Sequence, residues 1–108
     1  MMNKLHTPEH AAVRHILTSP RLAARCARHV REHDFDWAGL LADAETMSGG
    51  EQLLVRIAHD LWEARGDVGI WELPRRLDRA NFKRVLDALE LCRGDLPLDR
   101  AAALAEAA

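Results

Sequence analysis

The sequence predicts an all-α fold, a single compact bundle of about five helices around a central helix at about 49–65, with no β-sheet. Three observations predict it. The chain is rich in Ala, Leu and Arg, lacks Tyr and is poor in β-branched residues, a mixture that favours helices over strands. No segment alternates apolar and polar residues at period two. Helix-capping residues instead recur ahead of apolar residues at helical spacing.

Thr7-Pro8-Glu9 opens the first helix with an N-cap threonine, a proline at the first helical position and an acid in the first turn. Val13, Ile16 and Leu17 give it a buried edge. Ser19-Pro20 repeats the device and predicts a second helix over about 20–32. Its apolar stripe is Leu22, Cys26 and Val30, widened by Ala23 and Ala27, with Arg21, Arg25 and Arg28 on the opposite side. Asp36 caps a short third helix through Leu40 and Leu41. Phe35 and Leu40 stand at hydrophobic-staple spacing, and Trp37 is large enough to anchor one helix on another.

The central helix begins at Ser48-Gly49-Gly50-Glu51, a serine followed three residues later by glutamate, which is the pattern of a capping box. It runs to about Arg65 and stops at Gly66. Leu53, Leu54, Val55, Ile57, Ala58, Leu61, Trp62 and Ala64 cover more than half its circumference, leaving Gln52, Arg56, His59, Asp60 and Glu63 on one polar strip. Residues 68–70 form a short extended connection. Trp71 to Leu77 is a brief helix with Pro74 near its first turn. Asp78 caps the last long helix, about 79–93, which Gly94 ends, with Phe82, Val85, Leu86, Leu89 and Cys92 as its expected buried face. The Ala-rich residues after Pro97 predict a weak, loosely attached helical tail, so that 1–108 is one domain with 95–108 at its margin.

Composition narrows function. At 108 residues, 48% apolar and 30% charged, the chain has an ordinary globular make-up with a core of its own. No apolar run is long enough for a membrane span, and the first residues carry no secretory signal. The two cysteines, Cys26 and Cys92, both on apolar faces, read as free thiols in a reducing cytosol, and the Arg and Ala bias fits a GC-rich bacterial genome. Net charge is −2, so nothing global calls for nucleic acid, but the charges are unevenly placed. Residues 1–31 hold six Lys/Arg and one acid, whereas residues 32–63 hold eight acids and one Arg. This fits a basic stripe of Arg14, Arg21, Arg25 and Arg28 that is solvated or docks on the acidic stretch Glu32 to Glu45.

Several motifs invite chemistry. The stretch "MSGGEQLLVRIAHDL", Met47 to Leu61, resembles the signature segment of ABC-transporter ATPases. That resemblance implies a nucleotide contact by the serine and glycines, but the family's phosphate loop ending in Lys-Ser or Lys-Thr is absent, and Glu72 is followed by Leu73 where paired acids belong. Ser48 and Glu51 therefore read as a structural helix cap. "HVREH", His29 to His33, is similar to the H-x-x-E-H pattern of inverzincin metalloproteases. On a helix, His29 and His33 would share a face with Glu32 as the base, yet no third ligand can be assigned, and the favoured reading is solvated histidines. His6 and His10 repeat the spacing near the N-terminus.

The stretch "VGIWELPRRLDRANFKRVLDALELCRG" resembles the core of helix-turn-helix regulators. That implies a DNA-reading last helix with Arg79, Lys83 and Arg84 near its start and Arg75 and Arg76 on phosphates. Asp87 and Glu90 mix opposite charge into that face. The whole chain resembles small helical proteins of GC-rich bacteria or their phages. The expectation is a non-enzymatic, cytoplasmic protein without cofactors. It would bind another protein or itself, as a homodimer, through surplus apolar surface on the central helix, the three tryptophans and Leu91. The alternative is a helix-turn-helix DNA binder built from residues 68–93.

Overall fold

The computed structural model of the chain describes residues 7–94. Six α-helices follow one another: α1 (Pro8–Leu17), α2 (Ala23–Cys26), α3 (Trp37–Ala44), α4 (Gly49–Glu63), α5 (Glu72–Arg76) and α6 (Arg79–Arg93). The fold is all-α, and the described residues pair as strands nowhere beyond an isolated bridge between Val30 and Phe35. No helix among them is long and apolar enough to cross a membrane. The six fall one each in the segments whose caps and spacing predict helices, although the one at 20–32 is much shortened, as described below.

The caps act as their chemistry dictates. The Thr7, Asp36, Ser48 and Asp78 side chains each accept a hydrogen bond from the backbone N–H three residues on, which satisfies donors the first helical turn leaves without partners. Ser48 and Glu51 complete a reciprocal box: Glu51 N–H donates to the serine hydroxyl at 3.3 Å, and Ser48 N–H donates to the glutamate at 3.4 Å. Phe35 and Leu40, the staple pair, are both buried.

The bundle is organised about α4, which touches α1, α3 and α5, while α1 lies between α4 and α6 and shares its broadest faces with both. Ala12, Val13, Ile16 and Leu17 of α1 meet Leu53, Leu54, Val55, Ile57 and Ala58 of α4 and Val85, Ala88 and Leu91 of α6 in one continuous core. An aromatic group closes one side. The His10 ring stacks on Phe35 with centroids 4.6 Å apart, and Phe35 meets Trp62 edge-on at 5.1 Å. Trp37 lies 4.7 Å from His59 and so anchors α3 on α4 as its size predicts.

Two predicted segments differ. The helix expected over 20–32 is regular α-helix only over Ala23–Cys26, tightens to a 3-10 turn at Ala27–His29, and then reverses direction. Arg31 N–H donates to Asp34 O at 2.9 Å and Asp36 N–H to His29 O at 2.8 Å, closing a tight loop. The reversal sets Phe35 against His10 and Trp62, a tertiary gain that outweighs continuing a short exposed helix. On α6 the buried face is Val85, Ala88 and Leu91, whereas Leu86 and Leu89 are 40% and 39% exposed. The helix is rotated from the expected setting, and the small side chain at Ala88 stands where α6 faces α1.

The end of α4 is also specific. The chain leaves it through Ala64, which takes the left-handed conformation (φ 55°, ψ 42°) ahead of Gly66 (φ 73°). A Cβ is strained there, and Ala64 is exposed. Ala64→Gly is therefore expected to raise stability by about 0.5–1 kcal/mol, read as a higher denaturation midpoint at unchanged m-value. A loss of stability would show that the strain is absent.

Candidate interaction surface

The largest exposed apolar side chains stand next to each other between α4 and α5: Ile70 is 81% exposed and Trp71 is 71% exposed. The backbone carrying them is held from below. Asp60, on the polar strip of α4, accepts from Asp67 N–H at 3.1 Å and Val68 N–H at 2.7 Å. Arg56, one turn earlier, donates to Asp67 O at 3.4 Å and to the Glu72 carboxylate at 3.1 Å. Glu72 in turn accepts from Gly69 N–H at 3.0 Å and from Arg76 at 3.1 Å, and Arg76 reaches back to Gly49 O at 3.5 Å. The Gly69 N–H, and after it the Arg56 guanidinium, hold the Glu72 carboxyl below its ordinary range, so it stays charged and the clamp persists at neutral pH.

The loop is thus fixed by charge-assisted bonds while its two apolar side chains project into solvent. Arg75 lies over the Trp71 ring, 5.7 Å from its centroid, and forms no ion pair among the described residues. An indole, a branched aliphatic chain and a stacked cation thus stand together on one clamped loop. Burying the Ile and Trp side chains would contribute roughly 1.5–3 kcal/mol each.

Most of the rest of the expected apolar surplus is inside, although Ala64 is exposed and Leu61 only half-buried. Leu53, Leu54, Val55, Ile57 and Ala58 of α4 are buried, and so is Leu91. Of the three tryptophans, Trp37 and Trp62 pack against the core and Trp71 alone is exposed.

The residues of the helix-turn-helix resemblance fall into different environments. Arg76 pairs with Glu72 at 3.1 Å, and Lys83 makes a weaker surface pair with Asp87 at 3.4 Å. Arg84 turns inward: its Nε donates to His15 O at 2.7 Å, and its Nη2 donates to Thr18 O at 3.0 Å and to the Thr18 hydroxyl at 3.3 Å. Burial lowers its pKa from the ordinary arginine value, with Asp87 opposing. Of the five, only Arg75 and Arg79 have neither an ion pair nor a side-chain hydrogen bond among the described residues.

His29 and His33 are not on a common helix. His29 ends the 3-10 turn and is buried, whereas His33 lies exposed in the reversal, its ring 4.0 Å from Glu32. The solvated setting expected for both therefore holds for His33 alone. The His29 ring lies between two carboxylates, 3.2 Å from Asp36 and 2.7 Å from Asp43. Arg28 also donates to Asp43 at 2.8 Å. Arg25 bonds Asp43 O and the Thr46 hydroxyl, so part of the basic stripe docks on the acidic stretch. Asp43 is held below its ordinary pKa by Arg28 first and His29 second. Gly39 makes this arrangement possible, because a Cβ there would overlap the His29 ring. No group of three or more His, Cys, Asp or Glu among the described residues is placed to hold a metal ion. Both cysteines are free, and burial, with the Asp43 charge next, raises the Cys26 thiol to about 11.

Histidine burial is what the sequence concealed. His10 and His15 lie inside the bundle as well as His29, and His6 is outside the described residues. His15, between α1 and α6, has no hydrogen-bond partner at either ring nitrogen, and Asp87 stays 3.8 Å from Nε2. Burial, and then the neighbouring Arg84 charge, lower its pKa, while Asp87 acts in the opposite sense. Because the unfolded chain binds this proton more readily, the stabilisation is complete above the ordinary value of 6.5 and is lost as pH falls below it. Lowering pH from about 7 to about 5 should cut the denaturant midpoint more in the wild type than in His15→Leu. Equal slopes in the two proteins would remove His15 as the cause.

No family model, curated protein or solved structure matches this chain.

Proposed function

We propose that this chain is a non-enzymatic interaction module that binds another protein chain through the Ile70–Trp71 loop. The observation that carries the reading is the pairing of two highly exposed apolar side chains with a backbone clamped by Asp60, Arg56 and Glu72. Rigid presentation of a tryptophan reduces the ordering cost of association. An unclamped loop would have to forfeit that advantage on binding. A cytoplasmic setting accompanies the reading and is supported by the two free cysteines.

The test is quantitative affinity capture with wild-type, Ile70→Ser, Trp71→Ala and Arg14→Ala proteins as bait, alongside binding to labelled random duplex DNA across salt concentrations. Trp71→Ala should change folding stability by less than about 0.5 kcal/mol, because the side chain is exposed. It should also lose a partner that wild type and Arg14→Ala retain. Equal capture by Trp71→Ala removes the loop from the interface. Salt-sensitive DNA binding that disappears in Arg75→Ala and Arg79→Ala would replace this reading with the helix-turn-helix one.

A further inference from the structure

A second apolar face that no other described helix covers lies on α6 and does not depend on the Ile70–Trp71 loop. Its inner arc is Val85, Ala88 and Leu91, and beside that arc run half-buried Phe82 and exposed Leu86 and Leu89. From Phe82 through Leu86 and Leu89 to Arg93 the spacing alternates between four and three residues, the spacing of a coiled-coil seam. Each of Phe82 and Leu89 is followed at once by a charged residue on the solvent flank of that seam. These are Lys83 and Glu90, both exposed and of opposite sign.

Those two positions decide which neighbour fits. When two copies of such a helix run antiparallel, the residues directly after the seam positions on one helix face their counterparts on the other. Lys83 then meets Glu90 of the partner subunit, and the dyad repeats the pair. Leu86 packs on the partner's Leu89, and Phe82 stands across from the partner's Arg93. A parallel pairing would instead stack Arg79 on Arg79 of the partner subunit. An antiparallel arrangement also sets each helix dipole against its opposite. The existing Lys83 to Asp87 contact is exposed at 3.4 Å, so it competes weakly for the ammonium.

We propose that the outer face of α6 is a self-association seam for a second copy of this chain, docked antiparallel through Leu86 and Leu89 with Lys83 facing the partner's Glu90. The apolar strip is short, so the dimer should be weak, with a Kd on the order of 100 µM.

Sedimentation velocity on the full chain over a wide concentration range tests it. Wild type should pass from monomer to dimer. Leu86→Glu should remain monomeric, with its helical circular dichroism showing that it is folded. Lys83→Glu and Glu90→Lys should each weaken the dimer about tenfold, and the Lys83→Glu/Glu90→Lys double variant should restore it. Trp71→Ala should dimerise as wild type does, which separates this seam from the loop. A monomer at every concentration overturns the proposal. A double variant as weak as either single overturns the antiparallel register. Dimerisation lost in Trp71→Ala but kept in Leu86→Glu assigns self-association to the loop instead and overturns the seam.

Discussion

Ile16→Ala is expected to lower the free energy of unfolding by about 3–4 kcal/mol. Ile16 has no solvent exposure and sits on α1, the helix between α4 and α6. The substitution removes three carbons from a site bordered on both sides by long helices, α4 and α6. Neither can move in to fill the space without giving up contacts elsewhere, so a cavity remains and its cost adds to the lost transfer energy. For a domain of this size the change is a large part of the total stability, and Tm should fall by roughly 15 °C or more. Urea unfolding followed by circular dichroism checks it. A loss below about 1 kcal/mol would mean that α1 can collapse onto one neighbour, and that the three-helix sandwich is not the stabilising unit.

Arg84→Met should cost about 2–3 kcal/mol. The guanidinium donates to the carbonyls of His15 and Thr18 at the C-terminal end of α1, where helix carbonyls lack partners and carry partial negative charge. It therefore acts as a side-chain cap supplied by α6 to α1 and fixes the two helices against each other. Methionine keeps much of the apolar stem but removes the donor to the Thr18 carbonyl and leaves the His15 carbonyl only the Thr18 hydroxyl at 3.3 Å. Arg84→Lys should recover less than half the loss, since one ammonium cannot reproduce the forked contact to two carbonyls and a hydroxyl. Equilibrium denaturation with an unchanged m-value is the readout. A wild-type midpoint in Arg84→Met would return this residue to the surface and to a role in contacting phosphate.

Much of the fold was legible because it depends on local chemistry. The bounds of α6 follow from Asp78 and Gly94, and the start of α4 follows from Ser48 and Glu51, since each cap satisfies backbone groups that no tertiary contact needs to supply. The segment at 20–32 was not legible in this way. Its apolar stripe is compatible with a continuous helix, but reversal at 30–35 carries Phe35 onto His10 and places His29 between Asp36 and Asp43. Those partners lie beyond one helical turn, and His29 meets Asp36 only because the chain reverses between them, so periodicity holds no trace of them.

The candidate surface divides similarly. Composition showed surplus apolar residues, but helical spacing could not say which would be covered. On α6, the arcs around Leu86 and Leu91 are both apolar enough to face inward. Packing against α1 buries Leu91 and leaves Leu86 out. Trp71 stays exposed on a loop whose backbone is held by the carboxylates of Asp60 and Glu72. By itself, then, the sequence determined the helical class and the caps, both properties of residues within a few positions of one another. Only the tertiary structure decided which apolar arc of each helix is buried, that three histidines lie inside, and that Arg84 caps α1. Those outcomes depend on which surfaces meet, and the meeting is settled by shape and hydrogen-bond satisfaction across the whole bundle.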